Sequence, residues 1–321
     1  MLSQHVRRQR KIIVEAPAST ANVGPGFDVF ALALESPKDK VSISESGDHL
    51  KIYVKGLTSS EIPTKISDNT AGIVALKMIE DYHLPEGLEI EITKGIPVGM
   101  GMGSSAASAA AVAFGINRLF SLDIEQNSLV EYASKGEVAS AGKPHADNVS
   151  ASLLGGFTII RSYDPMDVIR VDPPKNLGIC IASPKVFYGA KKTAQFRAVI
   201  PLAIEIERLV HNVGNASALV AAIFNNDLKL FGRALNDSVV EPARSKLIPS
   251  YALVKKSAMD AGAVGVTISG AGPSMVAFYD ASILSGKEIG ISMCDAFNTA
   301  KVEASYMCTK PGEGVKVVHS D

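Results

Sequence analysis

Pro97-Val-Gly-Met-Gly-Met-Gly-Ser-Ser-Ala-Ala107 is the stretch on which the reading of this 321-residue chain turns. It follows residues 88–93, which alternate apolar and polar side chains as a half-buried strand does. It precedes residues 106–120, where six alanines between Ala106 and Ala113 favour a helix able to approach its neighbours closely. Between the two, Gly99, Gly101 and Gly103 alternate. The backbone there can take positive φ and come close to a ligand with no Cβ in the way. Ser104 and Ser105 then fall at the helix N-terminus, where free N–H groups and the helix dipole favour an anion. A hydroxyl at that point can also coordinate a phosphate-bound Mg2+. The loop has no lysine, and its register is not Gly-x-Gly-x-x-Gly, so neither common nucleotide fingerprint applies. Taken alone, the stretch favours an anion-binding loop over the alternative of a glycine-rich turn with a serine cap.

Composition narrows the setting. The chain is 46% apolar and 20% charged, a balance that excludes disorder and fibrous classes. With 32 basic and 33 acidic residues there is no electrostatic footprint for nucleic acid. Cys180, Cys294 and Cys308 are far apart in sequence and match no metal-ligand spacing, which suits a reducing compartment. No run approaches 18 apolar residues, so no membrane-spanning helix is expected. Residues 1–11 carry Arg7, Arg8, Arg10 and Lys11 with no apolar segment behind them, and read as a solvated end rather than a secretory signal. The expectation is a cytoplasmic protein that engages neither nucleic acid nor membrane.

Residues 11–16 read as a strand ending at Pro17, with a turn-rich loop over 18–28 and an apolar run over 29–34. Strands at 41–44 and 50–54 are joined through Gly47-Asp48. Ile73, Leu76, Ile79 and Tyr82 space a helix over 69–82. A second helix covers 128–140, a loop 142–149, and a strand 157–161. Pro165 and the pair Pro173-Pro174 bracket a domain junction, because paired prolines cannot join a sheet or helix interior. Beyond it, strands at 177–183, 264–269 and 275–279 mix with helices at 202–224, 228–236, 251–260 and 284–297. A final strand covers 302–307. The order argues for an α+β protein of two domains, 11–164 and 165–321.

Three segments are together more specific than the glycine loop alone. Pro17-Ala-Ser-Thr-Ala-Asn-Val-Gly-Pro-Gly-Phe-Asp28, residues 97–107 and Ser269-Gly-Ala-Gly-Pro-Ser274 follow the order and spacing seen in GHMP kinases. From residue 11 to about residue 279 the chain resembles that family, with Met102 where the family usually has Leu. Four further segments are similar to the branch that phosphorylates L-homoserine. They are Asn22 to Asp28, Gly136-Glu137 with His145-Ala-Asp-Asn148, Thr193 with Arg197, and Glu241-Pro-Ala-Arg244. The resemblance implies phosphoryl transfer from ATP, with Mg2+, to the side-chain hydroxyl of L-homoserine in threonine biosynthesis. It also implies a two-domain architecture: a nucleotide-binding α/β domain over 11–164, a ferredoxin-like substrate and dimer domain over 165–321, and a homodimer.

Site roles follow from the same resemblance. Pro97, Val98, Gly99, Met100, Gly101, Met102, Gly103, Ser104, Ser105, Ala106 and Ala107 would cradle the triphosphate. Asn69 would stand at the adenine pocket, where it also suits a helix N-cap. Ser105 and Glu137 would hold the Mg2+. Arg197 and Arg244 would take the acceptor carboxylate, and Asp28 with the Asn22 carbonyl its ammonium, with His145 nearby. Thr193 and Asn148 would orient the reacting groups. An amide cannot serve as a base, but a loose phosphoryl-transfer transition state needs little base assistance. Two other readings stay open. One is a shikimate or mevalonate kinase, whose acceptors lack an ammonium. The other is a non-catalytic sensor, against which the presence of Ser105, Glu137 and the glycines speaks.

Overall fold

The computed structural model describes residues 10–141, 144–189 and 192–320. Residues 1–9 of the expected solvated end, and residues 142–143 of the expected loop, lie outside that set. The described strands are β1 (Lys11–Ala21), β2 (Phe30–Glu45), β3 (Lys51–Gly56), β4 (Leu88–Lys94), β5 (Phe157–Tyr163) and β6 (Met166–Val171). They continue with β7 (Leu177–Pro184), β8 (Gly265–Ile268), β9 (Met275–Asp280), β10 (Ala304–Thr309) and β11 (Lys316–Ser320). The described helices are α1 (Thr70–Tyr82), α2 (Ser104–Phe120), α3 (Gln126–Gly136), α4 (Val138–Ala141), α5 (Asp147–Leu154) and α6 (Lys192–Ala198). Then come α7 (Ile206–Phe224), α8 (Leu228–Ala234), α9 (Val240–Ser245), α10 (Tyr251–Asp260) and α11 (Lys287–Thr299).

The first sheet runs β11-β1-β2-β4-β3, with β5 and β6 attached to the near end of β2. Its organiser is β2, which is 16 residues long and so serves two partners. Residues 30–32 pair with β5, and residues 40–45 pair with β4. β1 follows β2 through both halves by shifting register between Pro17 and Ser19. A proline has no N–H for the ladder and is tolerated at such an irregularity, so the strand passes the residue where it was expected to stop. β3 pairs in parallel with β4 rather than with β2, so the two strands joined through Gly47-Asp48 are not neighbours.

On this sheet lies α2, flanked by α1, α3 and α5. Its alanines bring it close: a Cβ on Gly115 would stand 2.7 Å from the Ile43 side chain. The helix expected over 128–140 breaks at Glu137, where α3 ends and α4 begins. A Cβ on Gly136 would meet the Thr70 carbonyl at 2.6 Å, so a glycine lets this break sit hard against α1. Asp147 to Val149, expected in a loop, form the first turn of α5.

The second sheet is antiparallel in the order β10-β7-β9-β8, the strand order of a ferredoxin-like unit. α10 and α11 pack on each other, and their Val254, Ala258, Met293 and Phe297 share a core with Cys180, Ala182, Met275 and Ala277 of the sheet. Side chains alternate across a strand, so Ile179, Ile181, Val276 and Phe278 face the other way. There they join a core with Phe231 and the first sheet.

The sheets do not divide at residue 165. Pro165 occupies the turn of the β5–β6 hairpin, a common use of proline, and β6 belongs to the first sheet. The chain also returns at its far end, where β11 pairs with β1. Two of the three cysteines, distant in sequence, face each other across β7 and β10 with sulfurs 3.7 Å apart.

Candidate active site

Three loops meet between the sheets: residues 22–29, residues 95–103 and residues 269–274. The Ser19 N–H donates to the Met102 carbonyl at 3.1 Å, and the Gly270 N–H to the Ala21 carbonyl at 3.0 Å. Ser269 Oγ donates to the Gly101 carbonyl at 2.8 Å. The three segments that carried the family resemblance are therefore one structural unit.

Within it Gly99, Gly101 and Gly103 all have positive φ, at 76°, 74° and 64°. Their surroundings differ. A Cβ on Gly101 would stand 2.2 Å from the Ser269 carbonyl, and one on Gly103 would stand 2.3 Å from Ser19 Oγ. Those two glycines are needed for protein packing. A Cβ on Gly99 meets nothing within 4 Å, so this glycine faces open space. Gly103 begins α2 in the left-handed conformation and supplies no side-chain cap. The leading N–H groups of that helix are thus left without a side-chain cap, as an anion site requires.

A buried polar clamp fixes the loop from below. Lys94 Nζ donates to Asp39, to the Ser104 carbonyl at 2.7 Å and to Ser108 Oγ at 3.0 Å. Asp39 Oδ1 in turn accepts from the Gly95 and Ile96 N–H groups at 3.0 and 3.1 Å. Burial pushes the Lys94 ammonium pKa down, against the pull of Asp39. Sequence reasoning missed this clamp, although the alternation of β4 puts Lys94 in phase with Leu88, Ile90 and Ile92 on the buried side. Ser104 turns its hydroxyl inward to the Ile96 carbonyl at 2.9 Å. Ser105 instead donates to Glu137 Oε2 at 3.0 Å, and Glu137 is only 8% exposed. A hydroxyl beside a carboxylate is a donor set that fits Mg2+. Among the described residues no group of three His, Cys, Asp or Glu could hold a metal by itself. A cation here would take its remaining ligands from phosphate and water.

Asn69 caps α1: its Oδ1 accepts from the Gly72 N–H at 3.2 Å, and its Nδ2 donates to the Pro63 carbonyl at 2.6 Å. Both polar ends are thus engaged with the protein, and an adenine contact would have to share them.

Opposite the glycine loop lies a pocket of charge. Asn22 Oδ1 accepts from the Asp28 N–H at 2.9 Å, which holds the 22–29 turn together, both residues having positive φ. The Asp28 carboxylate pairs with Arg197 of α6, and His145 Nδ1 stands 3.8 Å from its Oδ1. Phe27 lies between two guanidiniums, with Arg197 5.0 Å and Arg244 5.2 Å from its ring centre. Sequence reasoning named both arginines but not the ring between them. Arg244 of α9 is 3% exposed, and among the described residues it hydrogen-bonds to carbonyls, those of Phe196 at 3.2 Å and Gly270 at 3.0 Å. Burial lowers its pKa to about 10. Burial, and next Asp28, raise the Asp147 carboxyl to about 6. Asn148 rests its Oδ1 on Ser19 Oγ at 2.9 Å, and Thr193 lies in the first turn of α6, one turn before Arg197.

A third cation escaped the sequence reading because nothing in its spacing marks it. Lys192, beside Thr193, is 8% exposed and donates to the Gly99 carbonyl at 2.9 Å and to that of Gly272. It therefore bridges the glycine loop and the 269–274 loop.

This chain belongs to the GHMP kinase family. The family model for the GHMP kinases N terminal domain matches residues 69–156, and that for the GHMP kinases C terminal domain matches residues 219–284. The more particular likeness is to proteins named homoserine kinase. One from Methanococcus maripaludis is 44% identical over 268 residues, covering 83% of this chain and 87% of that protein. Another, from Methanocella arvoryzae, is 38% identical over 313 residues, covering 97% and 98%. The crystal structure of homoserine kinase from Cytophaga hutchinsonii superposes with a TM-score of 0.89 at 38% identity, covering 96% of this chain and 97% of that one.

Proposed function

We propose that this chain transfers the γ-phosphoryl group of ATP to the side-chain hydroxyl of L-homoserine, a reaction of amino-acid biosynthesis. The observation that carries the reading is the pairing of two chemistries across one cleft. On one side a helix N-terminus and the Ser105–Glu137 pair suit a metal-bound triphosphate. On the other, Arg197 and Arg244 flank Phe27, and Asp28 faces His145. Two guanidiniums and a carboxylate are complementary to the carboxylate and ammonium of an amino acid. Neither shikimate nor mevalonate carries an ammonium for Asp28.

In this reading the first sheet and its helices supply the nucleotide site. The second-sheet side supplies the acceptor arginines through α6 and α9. Bound Mg2+ supplies charge neutralisation on the transferring phosphoryl group. Ser105 and Glu137 hold it, while the backbone of residues 97–103 and the leading N–H groups of α2 bind phosphate oxygens. Arg244 and Arg197 fix the acceptor carboxylate. Asn22 and Asp28 fix its ammonium, which aims the hydroxyl at the nucleotide. Asn148, steadied by Ser19, and Thr193 orient the reacting groups. No side chain needs to take the hydroxyl proton, because the phosphate oxygens accept it as bonding to phosphorus advances.

The test is ADP release by the purified chain with Mg2+ and a panel of hydroxyl acceptors. Turnover with L-homoserine above that with shikimate and mevalonate is expected. Faster turnover with either of the others would leave a GHMP kinase with a different acceptor.

The reading includes a homodimer. On α7, Ile206, Leu209, Val210 and Val213 repeat at helical spacing yet are 63%, 45%, 66% and 56% exposed. Such a stripe on a folded helix fits a second copy of the same helix. Sedimentation at micromolar concentration should give twice the chain mass, and Val210→Glu should return it to one. A wild-type mass of one chain would contradict the assignment.

A further inference from the structure

We propose that the Lys192 ammonium is a ligand of the terminal phosphates of the bound nucleotide, leaving the carbonyls of Gly99 and Gly272 when a triphosphate enters. The proposal rests on the nucleotide site described above and adds to it a cation that no family motif supplied.

The argument begins with what surrounds the charge. Lys192 is 8% exposed, and its Nζ donates to two backbone carbonyls while standing 5.8 Å from the centre of the Phe196 ring. Among the described residues no carboxylate pairs with it. The contrast is Lys94, equally buried in the same region, which has Asp39 as counter-ion. A buried ammonium held only by carbonyls is poorly compensated, since buried charges are ordinarily paired. Burial, and next repulsion from Arg244, lower the Lys192 pKa to about 8.

Position then says which anion would compensate it. One acceptor of the ammonium is the carbonyl of Gly99, the loop glycine whose missing Cβ opens onto free space. The other is Gly272, whose carbonyl oxygen lies 3.1 Å from where a Cβ on Gly101 would stand. The cation therefore sits at the rim of the glycine loop, on the carbonyl of Gly99 in the segment that leads into α2. A terminal phosphate between the α2 N-terminus and this rim would meet N–H dipoles on one side and an ammonium on the other. A lysine suits that role because it is a compact point charge on a flexible stem. Its neighbour in the fold, Arg244, lies against Phe27 and is committed to the acceptor side.

The experiment is calorimetric titration of the full chain with Mg2+ and three nucleotides: AMP, ADP and a non-hydrolysable ATP analogue. Wild type is compared with Lys192→Met and Lys192→Gln, the latter keeping a donor for the carbonyls without the charge. The expected result is a 10- to 100-fold loss of analogue affinity, a smaller loss for ADP, and an AMP affinity within about twofold of wild type. Equal losses for AMP and analogue would make Lys192 a staple between two loops and overturn the proposal. So would unchanged analogue affinity, or a loss confined to homoserine. Should neither variant fold, wild type is titrated from pH 7 to 9.5. The ammonium is charged below about pH 8 and loses its proton above it. Arg244 is the charged group facing it; residues 97–103 and 269–274 contribute no titratable side chain, and Arg197 lies further along α6. Analogue affinity should therefore fall several-fold as pH rises through 8 while AMP affinity stays level, and a flat analogue profile would refute the assignment. Wild type that binds no nucleotide at all would instead remove the nucleotide site itself.

Discussion

Replacing Glu137 by Gln should lower kcat by about a thousandfold, or about 4 kcal/mol, with the fold intact. Glu137 lies where α3 ends against α1, and its carboxylate accepts from the Ser105 hydroxyl. Glutamine has the same shape and keeps an oxygen for that hydroxyl, so packing survives. What it lacks is the negative charge that would hold a divalent cation beside the phosphates. Ser104 cannot substitute for the site, because its own hydroxyl is directed to the Ile96 carbonyl beneath the loop. Circular dichroism would establish that the variant folds, and steady-state kinetics at saturating Mg2+ would read the effect. A folded variant with near-normal turnover under those conditions would remove Glu137 from metal binding.

The second large effect belongs to the acceptor arginines, and the structure ranks them. Arg244 is buried, and among the described residues it hydrogen-bonds to carbonyls while Asp28, Asp147 and Asp237 act on it only through space, so an incoming carboxylate would be its first direct ionic partner. Breaking such a buried, charge-assisted contact costs about 2–5 kcal/mol. Arg244→Ala should therefore reduce kcat/KM for homoserine by about 100- to 1000-fold, with KM for ATP within about threefold of wild type. Arg197 is more exposed and already shares its charge with Asp28. Its removal should cost about 10- to 100-fold, since screening and the competing partner weaken what it can give. Asp28→Asn should lower homoserine use as well, through the ammonium rather than the carboxylate. Steady-state kinetics with each substrate varied in turn separates these outcomes. Wild-type homoserine kinetics in both arginine variants would leave the enzyme class standing and remove this pocket.

Much of this arrangement was legible in the sequence wherever local pattern and local chemistry agree. The period-two alternation before the glycine loop gave β4, and α10 follows the expected helix over 251–260 to the residue. The glycine loop and the two serines were named from their types and spacing, and the arginines from the family resemblance; the fold ties the glycine loop to Ser269 and Arg244 to the neighbouring Gly270. The failures have a common physical cause, which is that pairing between segments, near or distant in sequence, leaves no mark on the local pattern of either one. Pro17 looked like a strand end because a proline cannot donate to a ladder, yet a register shift in β1 absorbs it. Pro165 looked like a domain boundary, but it serves a hairpin turn, and only the pairing of β6 with β5 reveals that. The return of β11 to β1 and the approach of Cys180 to Cys308 have no local signature at all. Lys192 was invisible for the same reason: its meaning lies in the carbonyls of Gly99 and Gly272, which the fold brings from either side.

The central claim is that one cleft reads a triphosphate on one wall and both charges of an amino acid on the other. Two homoserine analogues test it, each lacking one charge: 3-aminopropan-1-ol has no carboxylate, and 4-hydroxybutanoate has no ammonium. The measurement is kcat/KM for ADP release with each, at saturating ATP and Mg2+. Losses of about 100-fold or more relative to L-homoserine are predicted for both analogues, with the larger loss for 3-aminopropan-1-ol, which leaves Arg244 without its anion. Turnover of 3-aminopropan-1-ol as efficient as that of homoserine would contradict the account.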